Sequence, residues 1–478
     1  MIVNEISLKK LFTYTSSVYD IDGNFKGVKR ENCKSKVKAS TISKMMFASM
    51  MCGHSSINEL NHINKNRTTR FNMLYNRREY IPRTHGLRDA IKDIDYHQIE
   101  RINQSVIQKA KENKVFRKNR VDGLTVMAWD GVELSETKKN IEGLPEREYE
   151  DIGEIRKYIK YTCGMNVGPL ANIMVISKQH LETEKVKTKS GKERSKTVGE
   201  TTMFQNLWEE SEKLIGGVID VHVFDALYLN QNVMNLINES GKYFVIRLKD
   251  EKREIYEDSE GLFNNRCADK RYEIVETITV REIKYSKEAK KKDKTKRKIR
   301  QTKREMTDIK LGEKKLLKEE TIIKKNSIIK EKVYEKVITR KEVWSDIFEI
   351  TGYKGKVKVV KAIEERDKGK KQEIHTVTNM LSHDEETILK IMHLRWNIEN
   401  NGFRTLKQRY NLEHIYIGEH NAINYIVQMI FLVFNLLELY VKIRLREKID
   451  ITWCMVTRIF EQELHSNKSV KILLGNTS

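Results

Sequence analysis

Cysteine is scarce and unpatterned in this 478-residue chain. Its five cysteines, Cys33, Cys52, Cys163, Cys267 and Cys454, form no CxxC pair and no Cys/His spacing. That excludes a zinc ribbon and a disulfide framework and fits a reducing cytoplasm. Proline is rarer still, with 3 in the whole chain, and no Pro/Gly-rich linker or internal repeat divides it. The opening residues MIVNEISLKKLFTYTSS lack the apolar core of a secretory signal. One strongly apolar run is present, Ile423 to Val441, and Asn424, Gln428, Asn435 and Glu438 interrupt it at near-helical spacing. A polar edge of that kind suits a buried core helix and argues against a membrane span.

What the chain has in excess is positive charge. Lys+Arg number 90 against 68 Asp+Glu, a formal net charge of +22, which points to a polyanionic partner, nucleic acid first. A lysine-rich surface is also what an AT-rich genome produces, so charge alone leaves both readings open. The length allows two or three domains at roughly 100–200 residues each.

Along the chain the pattern changes several times. Residues 1–120 carry apolar positions three and four apart, as in Ala39–Met51 and Leu87–Val106, and read as a helical N-terminal domain, whose basic clusters Lys65–Arg70 and Arg77–Arg83 make it the DNA-binding one. Residues 121–250 hold three early strand-like runs, LTVMAWDG, IRKYIKYTCGMNV and PLANIMVIS, then alternating helices and strands, the mark of an α/β, mixed-sheet domain. Residues 251–372 alternate apolar and polar positions and read as a β-rich basic insertion. Within it, Lys287 to Arg304 holds eleven Lys/Arg and two acidic residues, a solvated block able to touch phosphates. Residues 373–445 return to the core, with a long helix from Asp384 to Tyr410 that starts near Ser382 or His383, and 446–478 form a C-terminal tail.

Three carboxylates stand out. Asp130 ends an apolar strand in AWDGVEL, and Asp225 ends another in VHVFDALY, so each is expected at the carboxyl edge of a sheet, where α/β folds place binding sites. Either one alone is equally an ordinary residue opening a turn. In HLRWNIENNGFRTLKQRYNLEH, Arg395 and Glu399 lie four apart on one helical face, with Trp396 and Phe403 suited to an inner face. A surface ion pair of that spacing contributes only about 0.3–0.5 kcal/mol, but these apolar neighbours argue against full exposure.

The three segments AWDGVEL, VFDALY and RWNIENNGFRTLK, in this order, resemble the signatures of DDE transposases from bacterial insertion sequences. The group most similar is the insertion-sequence-four and H-repeat-like one, whose third motif reads Tyr, Arg, Glu, Lys. The resemblance extends over most of residues 35–440 and includes Gly53-His54-Ser55-Ser56 and Ile81-Pro82-Arg83. It implies an RNase H-like catalytic core with Asp130 on the first strand, Asp225 after the fourth, Glu399 on a late helix, and a β-rich insertion filling the gap of 174 positions between the last two.

The resemblance further implies catalytic acids, Asp130, Asp225 and Glu399, that hold two divalent ions, Mg²⁺ or Mn²⁺, with Arg395 and Lys407 on DNA. Two departures from the group's pattern appear: Met392 stands where its tyrosine falls, and Leu406 where its lysine falls, with Lys407 next to it. A one-residue insertion around Asn400–Gly402 would bring Lys407 into that role. The implied partner is double-stranded DNA, both element ends and target. One set of acids per chain implies a homodimer in the synaptic complex, with Trp453, Phe460 and Leu464 in 449–474 as candidates for its contact. The implied setting is the bacterial cytoplasm, on the nucleoid when bound to DNA, with no membrane. A metal-dependent nuclease on the same core, or an inactive DNA-binding derivative, are the alternative readings.

Overall fold

The apolar run ahead of Asp130 becomes the middle strand of a mixed sheet. In the computed structural model, which describes residues 7–31, 38–54, 56–59, 83–187, 193–249, 253–285, 298–303, 314–324, 327–366, 370–445 and 453–465, strand β1 covers Val126–Thr137. Val126, Met127, Ala128 and Trp129 are fully buried in it, as befits a strand covered on both faces. The described residues divide between two compact units, Met1–Phe244 with Lys390–Ser478, and Val245–Leu389.

In the first unit, β2 (Glu146–Tyr149) and β4 (Asn172–Gln179) pair antiparallel with opposite ends of β3 (Glu154–Val167), and β3 pairs antiparallel with β1. A short hairpin of β5 (Glu184–Lys187) and β6 (Glu193–Lys196) follows. The helix Glu200–Ile215 then leads to β7 (Val221–Phe224), which pairs in parallel with the far side of β1. β4 therefore runs in the same direction as β1 and β7, and the helix that follows it begins at the edge where β1 and β7 finish their pairing.

β4 lies at the sheet's edge, and the long helix His420–Glu438 covers it. Asn435 accepts from the Met174 N–H at 2.7 Å and donates to the Met174 carbonyl at 2.7 Å, so one side-chain amide stands in for the missing strand. Glu438 accepts from Asn172 N, and Gln428 and Asn424 donate to Ser177 and Gln179. All four polar residues of the apolar run are thus buried and bonded. By length and composition the segment His420–Arg444 passes for a membrane span, yet 89% of its most apolar window is buried inside the protein.

Every described element before residue 120 is helical: Leu8–Tyr19, Ile21–Lys26, Ala39–Met51, Thr84–Lys92, His97–Glu112 and Val115–Lys118. Ser7 caps the first by accepting from Lys10 N, and Ser43 and Asn103 meet Tyr425 and Asn435 of the long helix. The C-terminal helix Trp453–His465 returns to the start of the chain, where Glu463 accepts from Leu8 N at 2.7 Å. Phe460 and Leu464 are fully buried there, so these two candidates for a subunit contact are spent inside the protomer.

The second unit is antiparallel. β8 (Tyr243–Leu248, from Val245 onward) borders it, and the strands β9 (Lys270–Tyr285), β10 (Lys298–Lys303), β11 (Lys314–Lys324), β12 (Ser327–Glu349), β13 (Lys356–Arg366) and β14 (Lys370–Thr378) follow. They lie in the order β10-β9-β12-β13-β14-β8, with β11 on β12. Of the basic block Lys287 to Arg304, the residues 298–303 form β10 and the others lie outside the described residues. Asp384 caps the next helix, Glu385–Asn397, by accepting from Thr387 N at 2.9 Å. The sequence reading put Ser382 or His383 near that start; a carboxylate three residues before the donating N–H takes the position instead.

Candidate active site

Strand register brings the first two acids together. β1 and β7 pair through Val126 with Val221, Met127 with His222 and Ala128 with Val223. Asp130 and Asp225 each stand two residues beyond the last of these pairs, at one level and on one face, because side chains alternate along a strand. Trp129 and His222 lock the pair from the opposite face, Trp129 Nε1 donating to His222 Nδ1 at 3.0 Å. Asp225 follows the end of its strand, and its Oδ1 accepts from Leu227 N at 3.0 Å. Asp130 does not end its strand: β1 continues to Thr137 because Asp130 and Gly131 stay paired with Cys163 and Thr162 of β3. What ends near Asp130 is the parallel pairing, and that opens the space above it.

The third acid reaches this edge through an arginine. Arg395, 4% exposed, donates from Nη1 to Glu399 Oε1 at 2.6 Å, and the same nitrogen lies 3.8 Å from Asp130 Oδ2. Those two distances, 3.8 plus 2.6, confine the two carboxylate oxygens to within 6.4 Å of each other. Read from the sequence as a phosphate contact, Arg395 here sits between two acids, and its Nε is buried with no partner.

The helix is not regular through this region. Residues Ile398–Phe403 form a π-helical turn between the helices Glu385–Asn397 and Arg404–Tyr410. A π-turn is one extra residue accommodated in an α-helix. It falls where a one-residue insertion would bring Lys407 into line, and Leu406 accordingly is fully buried while Lys407 lines an open cleft with Asp130, Gly131, Glu399, Phe403 and Arg404. Lys407 donates to the Glu133 carbonyl and pairs with Glu413 at 2.8 Å.

The electrostatics follow from the crowding. Burial pushes the Asp130 carboxyl up to about 7; Arg395 opposes this, and the charges of Glu399, Asp225 and Glu200 add to it. Burial also raises Asp225, offset by the Leu227 N–H and Arg395 and reinforced by Glu200 and Glu399. Such a pocket of hard oxygen donors, costly to leave ionised, suits a divalent cation. In the second unit Glu260, Glu373 and His375 hold their ligand atoms within 4.8 Å of one another. Lys361 already neutralises that group, its Nζ lying 2.6 Å from Glu260 and 3.1 Å from Glu373.

Sequence reasoning missed Glu200, the first residue of the helix after β6. It pairs with Lys160 at 2.6 Å, and a methyl group added to Gly131 would lie within 2.7 Å of its Oε2. A lone glutamate after a glycine carries no signal; only the topology puts it beside Asp130. The basic clusters Lys65–Arg70 and, apart from Arg83, Arg77–Arg83 lie outside the described residues, as do Ser55, Ile81 and Pro82.

The family model described as a transposase DDE domain matches residues 160–436, a range that includes Asp225 and Glu399 and begins after Asp130. No curated protein matches the chain. The match covers more than half of the sequence, and the chain belongs to the transposase DDE domain family.

Proposed function

We propose that this protein is a transposase of the insertion-sequence-four and H-repeat-like group, cutting and joining double-stranded DNA ends with Asp130, Asp225 and Glu399 as its catalytic acids on an RNase H-like core. The observation that carries the reading is the shared level of Asp130 and Asp225 on neighbouring parallel strands, with Glu399 tied to Asp130 through Arg395. Two divalent ions, Mg²⁺ or Mn²⁺, fit this set of hard oxygens, and Asp130, Asp225 and Glu399 would hold them. Held there, they would supply activation of an oxygen nucleophile and neutralisation of charge on the transferring phosphoryl group.

The chain's own residues do the rest. Arg395 fixes Glu399 against Asp130 and tempers the repulsion between them. Lys407 and Arg404, on the cleft wall, attract and orient a DNA phosphate. The N-terminal helices, the clusters Lys65–Arg70 and Arg77–Arg83, and the basic stretch Lys287 to Arg304 hold the flanking duplex, and two protomers bring two ends together. The work takes place in the bacterial cytoplasm, on the nucleoid.

The test is incubation of the purified chain with Mg²⁺, duplexes carrying the element's terminal repeats, and a target plasmid. Cleaved ends and end-to-target joints are expected. Cleavage without joints would replace the transposase with a nuclease, and the absence of both products would overturn the reading.

A further inference from the structure

A fourth carboxylate stands against Gly131, next to Asp130 in the chain. Glu200 lies at the start of a 16-residue helix, its side chain 14% exposed, and its charge acts on both Asp130 and Asp225. An acid at a helix N-terminus is favoured by the helix dipole, and most such residues keep their carboxylate in water. Glu200 instead turns inward, into a space that exists only because residue 131 has no side chain.

A second observation points the same way. Tyr228 is completely buried, its hydroxyl has no hydrogen-bond partner, and the charge acting on it most strongly is that of Glu200, followed by Asp130 and Asp225. A buried hydroxyl without a partner is costly, and it marks a place where a further polar group belongs. Lys160, paired with Glu200 and 26% exposed, is a cation that can withdraw to solvent.

Resting on the metal-site reading above, we propose that Glu200 is a fourth acidic ligand of the same cation site, given room by Gly131 and held by Lys160 when no cation holds it. Glu200 then supplies one more hard oxygen beside Asp130, and Lys160 competes with the metal for it.

The experiment is Mn²⁺ binding to the full-length chain, measured by the electron paramagnetic resonance of free Mn²⁺, for wild type, E200Q, K160M, E209Q, D130N and D225N. Expected are at least tenfold weaker binding in E200Q, two- to fivefold tighter binding in K160M, and no change in E209Q, whose side chain is 86% exposed on the same helix. A purely structural Glu200–Lys160 pair would move E200Q and K160M in the same direction, which would overturn the inference. Unchanged binding in E200Q with loss in D130N and D225N would also overturn it while leaving the metal site standing. Unchanged binding in all three would overturn both. Where E200Q melts early, E200D supplies the check: intermediate affinity supports the role, and wild-type affinity refutes it.

Discussion

Deleting Asn401 is the sharpest test of how Lys407 reaches the cleft. A regular α-helix turns about 100° per residue, so eight residues, the step from Glu399 to Lys407, leave the two about 80° apart, whereas seven leave them within about 20°. The π-turn at Ile398–Phe403 absorbs one residue and restores the alignment. Removing Asn401, an exposed residue of that turn, should therefore convert it to regular helix and keep Lys407 on the cleft and Leu406 in the core. Deleting the exposed Gln408 instead rotates Tyr410, 2% exposed, by about 100° out of its packing. Displacing an aromatic of that size costs about 3–5 kcal/mol, against about 1–2 kcal/mol for the first deletion. Urea denaturation followed by circular dichroism measures both, and end cleavage by the Asn401 deletion reports the position of Lys407. Equal destabilisation by the two deletions would refute the reasoning.

Asn435→Ala strips the Met174 N–H, the Met174 carbonyl and the Asn103 side chain of a buried partner and should cost about 3–5 kcal/mol in the same denaturation assay; a loss under about 1 kcal/mol would mean that the helix does not seal the sheet edge. Burial pushes the Glu438 carboxyl up to about 7 from its ordinary 4.5, so the native state binds the proton more tightly, and the stability this contributes is full below pH 4.5 and fades as pH rises through about 7. Glu438→Gln keeps an acceptor for Asn172 and cannot ionise, so its stability relative to wild type should rise by roughly 2–3 kcal/mol between pH 4.5 and 8, and a pH-independent difference would contradict this. Lys407→Ala should weaken binding to end DNA and make the log–log salt dependence shallower by about 0.9, the signature of one lost phosphate contact; an unchanged slope would place Lys407 off the DNA.

Much of this was legible in the sequence because hydrophobic patterning is local. The run ahead of Asp130 and the run ahead of Asp225 announce buried strands, and the polar positions of Ile423 to Val441 announce a core helix. What was not legible depends on partners far away in the chain. Asp-Gly reads as a strand end, and only pairing with Cys163 and Thr162 carries the strand past it. The π-turn has no composition of its own, and only the folded helix shows that Leu406 enters the core while Lys407 lines the cleft. Phe460 and Leu464 look like a spare apolar face until the fold is seen to bury both and to bond their helix to Leu8 through Glu463. Glu200 needed the whole crossover from β4 to β7 before its place beside Asp130 could be known.

The central claim is that Asp130, Asp225 and Glu399 perform chemistry and do not merely hold DNA. Cleavage and binding of terminal-repeat duplex should be measured together for Asp130→Asn, Asp225→Asn and Glu399→Gln at one salt concentration and saturating Mg²⁺. Each variant is predicted to lose at least about a thousandfold in cleavage rate, roughly 4 kcal/mol of transition-state stabilisation, with binding within threefold of wild type. Cleavage that survives in any of the three, or that falls only in step with binding, would contradict the account.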